Sequence, residues 1–318
     1  MSRATRTRPN AVPGTVAGRR ALVLCNPVSG GGRGRRQVPR VVRRLEQHGL
    51  PHRIVATRSL EHALDEAARA CERGDVVATL GGDGLTGRVA DVVSRRGGVL
   101  AVLPAGRGND FARAIGVPGD APAAADVLAT GAVRRVDVGE VVDARGVARR
   151  FLGILSVGID SEVQRIAETT RLPLGRHTYA YGALAALTGW RSLPFTLVLD
   201  GGPTRMSGFT VAVANSGVYG GGMRLAPDAR LDDGRLDVVT ISGYSKTRLV
   251  KGLTQTSEGT HVHDEHVEVH RAREVTVGST SPAALRLTAY ADGEQVARLP
   301  LRVRVVPRAL DVLVRADA

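Results

Sequence analysis

Apolar residues recur along this chain in two rhythms. Short runs at Ala21–Cys25, His52–Thr57, Asp75–Leu80 and Gly98–Leu103 read as strands, the first of the buried type and the third rich in β-branched residues. Between them, Val38, Val41, Val42 and Leu45 keep a helical 3.6-residue spacing up to the stop signal His48-Gly49. Leu60, Ala63, Leu64, Ala67, Ala68 and Cys71 form a second apolar face behind Ser59, a helix cap. A third helix runs to about Arg96. Strands alternating with helices predict an α/β domain whose Rossmann-like parallel sheet is covered on both faces. Ligands of such sheets bind at the carboxyl ends of the strands.

Beyond about Val136 the rhythm changes. Segments beginning at Phe151, Phe195, Phe209, Leu236, His266 and Val275 are short and strand-like, punctuated by Gly, Pro and Asp. A helix around Ser161–Glu168 and an apolar stretch at Tyr179–Trp190 interrupt them, and two more strand-like segments, Leu301–Val306 and Leu310–Val314, end the chain. This predicts an all-β, sandwich-like or open-barrel second domain. The expected division is a disordered basic tail over 1–18, an α/β domain over 19–136, a β-rich domain over 137–300, and terminal strands over 301–318.

Three strand ends carry glycine: Asn26-Pro27-Val28-Ser29-Gly30-Gly31-Gly32, Gly81-Gly82-Asp83-Gly84, and Gly106-Arg107-Gly108-Asn109-Asp110. A glycine turn between strand and helix exposes backbone N–H groups to a phosphate. All three lie at the same edge of the predicted sheet, which is stronger evidence of a phosphate site than any one of them.

Composition narrows the partner. A net charge of +13 favours an acidic ligand. With aromatics at only 3%, few rings are available for base stacking, which argues against nucleic acid. Cys25 and Cys71 show no CxxC pairing and read as thiols in a reducing compartment. No run reaches the roughly 18 apolar residues of a membrane span, and the N-terminus lacks a secretory apolar core, so a cytoplasmic protein is expected. His261, His263, Asp264, Glu265, His266 and His270 imitate a metal cluster, with His261 and His263 on one face of a strand. A solvated strand–turn–strand is the plainer reading, and zinc is not assigned.

Five ordered segments, Asn26-Pro-Val-Ser-Gly, Gly81-Gly-Asp-Gly, Pro104-Ala-Gly-Arg-Gly-Asn-Asp-Phe-Ala-Arg, Asp232-Asp-Gly-Arg-Leu-Asp-Val and Asp292-Gly-Glu, resemble the diacylglycerol kinase-like lipid kinases of bacteria, relatives of the sphingosine kinases. The resemblance implies ATP- and Mg²⁺-dependent phosphoryl transfer to a lipid hydroxyl, in a cleft between an α/β and a β-rich domain. It implies a lipid substrate met at the membrane surface by peripheral contact, and leaves a homodimer open. It places Asn26, Ser29, Gly30 and Thr57 at the nucleotide, and Gly81, Gly82, Asp83 and Gly84 at its phosphates. Thr86, Gly106, Arg107, Asn109 and Asp110 join the same pocket. Asp83 falls in the catalytic metal and phosphate network, and Glu294 matches the general base. By itself Asp292-Gly293 reads as a hairpin turn and Glu294 as a solvated strand residue. Asp233, with the carbonyls of Arg230 and Arg235, matches a structural Mg²⁺ site.

Three positions depart from the family pattern. Leu85 stands where Thr is usual, leaving Thr86 as the candidate hydroxyl; Gly87-Arg88 replace Asn-Glu; Arg107 replaces Thr. Two other readings share this scaffold: an NAD kinase-like small-molecule kinase, and a non-catalytic nucleotide- or lipid-binding regulator.

Overall fold

The computed structural model describes residues 11–15, 18–159, 161–163, 166, 182, 186, 192–243 and 246–316. Its first element corrects the expectation of a wholly disordered tail: β1 (Ala11–Thr15) pairs antiparallel with β6 (Ala132–Asp143). The apolar stretch 179–190 lies outside the described residues, apart from Gly182 and Ala186.

The four apolar runs form a parallel sheet in the order β3 (His52–Ala56), β2 (Ala21–Cys25), β4 (Val76–Gly81), β5 (Val99–Pro104). Every residue of β2, β4 and β5 is buried, as unbroken apolar strands covered on both faces must be. Helices α1 (Ser29–Gln47), α2 (Leu60–Glu72) and α3 (Asp83–Arg95) follow β2, β3 and β4, while α4 (Asp110–Ala114) and α5 (Ala121–Thr130) follow β5. The Ser59 hydroxyl accepts the His62 N–H at 3.1 Å to start α2, which buries Ala63, Ala67 and Ala70.

The β-rich part begins with β7 (Ala148–Phe151) and β8 (Ile154–Gly158), then β9 (Leu193–Leu199), β10 (Gly202–Ala214) and β11 (Leu236–Ser242). After α6 (Lys246–Glu258) come β12 (Val267–Ala272), β13 (Glu274–Gly278), the short α7 (Pro282–Leu285), β14 (Thr288–Ala291) and β15 (Glu294–Arg298). Strand β10 pairs with β8, β9 and β11, all antiparallel. A second core forms inside this part around Phe151, Phe195, Leu155, Leu197 and Val303.

The last two strand-like segments are one element. β16 (Leu301–Val314) runs antiparallel to β6 over its whole length, with a register shift between Val306 and Leu310. Its first half pairs with β13, and its second half lies parallel to β5, Asp311 opposite Val99. Between the two segments, Pro307, Arg308 and Ala309 form a bulge, with Arg308 at φ 51°. Asp137 pins that bulge by accepting the Arg308 N–H at 2.7 Å. The β6–β16 pair therefore carries one continuous sheet through both halves of the molecule.

Candidate active site

The glycine turns after β2, β4 and β5 meet at the carboxyl edge of the parallel sheet. Gly30 has φ 57°, and a Cβ on it would lie 2.5 Å from the Ala105 carbonyl oxygen, so only glycine lets the first turn close on the third. Gly82 and Gly106 touch backbone to backbone, and a Cβ on Gly106 would collide with the Gly82 Cα. The result is a wall of bare main chain.

Asp83 holds this wall together. Its Oδ2 accepts the Asn109 N–H at 2.7 Å, and its Oδ1 accepts the N–H groups of Asp110 at 2.8 Å and Phe111 at 3.3 Å. A carboxylate at the first turn of α3 thus caps the start of α4. Asn109, at φ 57°, turns its own side chain back on the loop, Oδ1 accepting the Gly106 N–H at 2.9 Å.

Opposite stands a turn from the β-rich part. Asp292 receives the N–H groups of Leu152 and Gly153, both at 2.7 Å. Burial pushes its pKa up to about 7, with the negative charges of Asp83 and Asp110 adding to the effect. Two residues on, Glu294 faces α3, where a Cβ on Gly84 would lie 2.8 Å from its Oε1. Gly87, one turn further, leaves the same room for Asp292, whose Oδ2 a Cβ would meet at 2.8 Å. Asp110 reaches across the cleft, its carboxylate accepting the Gly221 N–H at 3.0 Å. Burial is the main reason its pKa rises to about 6.

These groups enclose a cleft of about 730 Å³. Of the residues implied by the motifs, Ser29, Gly30, Gly82, Asp83, Gly84, Gly106, Arg107, Asp110 and Glu294 line it. Apolar residues also line it, among them Phe111, Leu152, Ile154, Val218 and Met223.

The remaining residues do not line it. Thr86 is buried; its hydroxyl donates to the Gly82 carbonyl at 3.0 Å and lies 3.0 Å from the Thr79 hydroxyl, so it cannot replace the hydroxyl missing at Leu85. Leu85 packs on the α/β core and over Gly81. Asn26 closes its own turn by accepting the Val28 N–H at 3.1 Å, and the Thr57 hydroxyl donates to the Cys25 carbonyl at 3.2 Å. Both shape the sheet edge from outside the cleft.

Two family models match in tandem: a diacylglycerol kinase catalytic domain over residues 20–141, and a YegS C-terminal NAD kinase beta sandwich-like domain over residues 153–314. The diacylglycerol kinase of Mycobacterium tuberculosis is 34% identical over 297 residues, covering 92% of this chain and 94% of that protein. This chain belongs to the diacylglycerol kinase family. It is a kinase. The diacylglycerol kinase of Staphylococcus aureus, in its bovine strain, is 26% identical over 94% of this chain and 93% of its own. The fold also matches a diacylglycerol kinase structure from Bacillus anthracis, TM-score 0.72 at 18% identity, across 94% of this chain and 97% of that one.

The family's structural cation does not suit this member. Asp233 Oδ1 accepts the Arg235 N–H at 3.0 Å, and its Oδ2 is paired with the guanidinium of Arg271, which also lies 3.6 Å from Asp237. Arg230 points its own charge at Asp232. A hard cation needs oxygens free to coordinate it, and here a protein cation already faces them. Asp233, Arg230 and Arg235 are therefore not assigned a metal. The histidine cluster also disperses: His261 lies in a 3-10 helix (Thr260–His263) rather than a strand, buried with Nε2 3.0 Å from the Leu225 carbonyl. Among the described residues, no three His, Cys, Asp or Glu side chains gather as a metal site.

Sequence reading missed the Asp110–Gly221 bridge, the Leu152 and Gly153 donors, and the spacing role of Gly87. Each depends on a main-chain N–H or on an absent Cβ, which residue identity alone does not reveal.

Proposed function

We propose that this kinase transfers the γ-phosphoryl of ATP, with Mg²⁺, to the hydroxyl of a lipid, diacylglycerol being the class its relatives' names indicate. The observation that carries the reading is Glu294 standing against Gly84, across one cleft from three glycine turns. A bare-backbone cradle fits a polyphosphate, and Gly106 lets the third turn meet the Gly82 backbone with no side chain between them. Ser29, Gly30, Gly82 and Gly106 would line the phosphates, with Arg107 at the exposed rim as a charge donor. The Asp110 carboxylate suits the cation, because Mg²⁺ on a nucleotide needs only one or two carboxylates beside phosphate oxygens. When bound, Mg²⁺-ATP supplies the phosphoryl group and neutralises its charge.

The chain's own residues do the rest. Asp83 fixes the distance between the second and third turns. The main-chain donors Leu152 and Gly153 hold Asp292, which seats the turn bearing Glu294. Glu294 then accepts the proton of the attacking hydroxyl at a carboxylate oxygen. The apolar lining residues Ile154, Val218 and Met223, all from the β-rich part, suit an acyl chain. The lipid would be met at the membrane surface; among the described residues no helix is long and apolar enough to cross a membrane.

Labelled ATP, Mg²⁺ and a total lipid extract test the proposal, with mass identification of the product. A labelled lipid is expected. Labelled NAD without labelled lipid would turn the reading to an NAD kinase, and nucleotide binding with no transfer to a binding protein.

A further inference from the structure

A loop carrying Asp228, Asp232 and Asp233 runs from the cleft to β11. It leaves the cleft after Val218, Tyr219, Gly220 and Met223, which line it. Its other end is tied to the joint between the two halves of the molecule. The Leu231 carbonyl accepts the Asp137 N–H at 2.6 Å, and the Gly234 N–H donates to Asp137 Oδ2 at 2.7 Å. Asp232 is met by Arg134 of β6 at 3.0 Å and by Arg230 at 3.7 Å. Asp237, at the start of β11, is 3% exposed, with the charges of Asp228 and Asp233 near enough to repel it. A carboxylate buried among like charges needs a cation.

Strand β12 supplies one. Arg271 stands directly opposite Asp237 in the β11–β12 register, so both side chains lie on the same face of the sheet. Its guanidinium pairs with Asp233 Oδ2 and lies 3.6 Å from Asp237 Oδ1. Several donors spread over one plane let a single guanidinium face two carboxylates at once. Asp233 is also the side chain that the family's structural cation would take. We propose that Arg271 stands in for that cation: its guanidinium fixes the 226–237 loop against β11, and the fold needs no divalent ion there. Removing the guanidinium would release oxygens of Asp233 and Asp237, the hard donors that Mg²⁺ prefers.

The test uses no nucleotide or lipid and is independent of the proposed kinase chemistry. Wild type, Arg271→Ala, Asp233→Asn and the double variant are melted in EDTA and in excess Mg²⁺, with ionic strength matched by KCl. The readout is the rise in Tm on adding Mg²⁺, less the rise in the corresponding Asp233→Asn chain, so that Mg²⁺ bound elsewhere cancels. In the wild type this difference should be absent. Arg271→Ala should melt about 2–5 °C below wild type in EDTA and regain most of that loss in Mg²⁺, and the double variant should regain none. An Asp233-dependent rise in the wild type would show a metal held beside the arginine and overturn the proposal. Arg271→Ala melting together with wild type in EDTA overturns it too. So does a low melting point with no Asp233-dependent recovery, since Arg271 would then be an ordinary surface ion pair.

Discussion

Asp83 shows how one carboxylate serves the site through the backbone. It satisfies three N–H groups at the start of α4, and an amide there would present a donor to at least one of them. Asp83→Asn is therefore expected to cost about 1–3 kcal/mol of stability by urea denaturation, together with nucleotide affinity by calorimetry. Native values for both would show that the cap is dispensable. Asp292 makes a pH-dependent prediction. Its pKa is raised from 3.8 to about 7, so the unfolded chain releases this proton first, and its stabilising effect is present below the unfolded value and lost as pH rises towards 7. The wild type's stability advantage over Asp292→Asn should shrink between about pH 4 and about pH 7. An advantage that grows over that range contradicts the assignment. The glycine turns and Asp83 were legible in the sequence because strand–glycine–helix is a local pattern. Thr86 was misread for an equally local reason: its neighbour Leu85 lacks a hydroxyl, yet only the fold shows that Thr86 points inward to Thr79.

At the scale of elements, α3 has two working faces. Val89, Ala90 and Val93 pack into the α/β core, a face that periodicity predicts. The other face is defined by missing atoms at Gly84 and Gly87, where the 292–294 turn docks. Hydrophobic patterning cannot see it, since it contributes no apolar residue. Gly87→Ala should place a methyl 2.8 Å from Asp292 Oδ2 and 3.0 Å from its Cβ, costing about 1–3 kcal/mol and displacing Glu294. A fall in kcat exceeding that of a matched alanine elsewhere on α3 is the expected kinetic sign; unaltered kcat and stability would mean that the turn docks independently of α3. Strand β16 makes the related point for strands: two separate strand-like segments are one element, because pairing with β6 continues past Pro307.

Across the whole molecule, the cleft is held by the long β6–β16 pair and one buried anion. Glu140, on β6, is 2% exposed and meets Arg304 of β16 at 2.5 and 2.8 Å, with Arg95 of α3 and Arg150 of β7 each at 3.5 Å. Although burial opposes its ionisation, the three guanidiniums hold its pKa below the usual value. Four elements from both halves converge on this carboxylate. Glu140→Gln should cost about 1–3 kcal/mol by replacing a buried charged acceptor with a neutral one; a melting temperature within a degree or so of wild type would contradict that role. No motif marks Glu140, two of whose partners, Arg95 and Arg304, lie 45 and 164 residues away along the chain. The α/β order and the strand-rich second half were readable from periodicity, but the joint between them was not. That joint brings Glu294 to the phosphate turns, and Glu294→Gln tests the account most directly. Phosphoryl transfer should fall about 100-fold or more while ATP affinity stays within about threefold of wild type. Wild-type transfer by the Gln variant would contradict Glu294 as the acceptor of the hydroxyl proton.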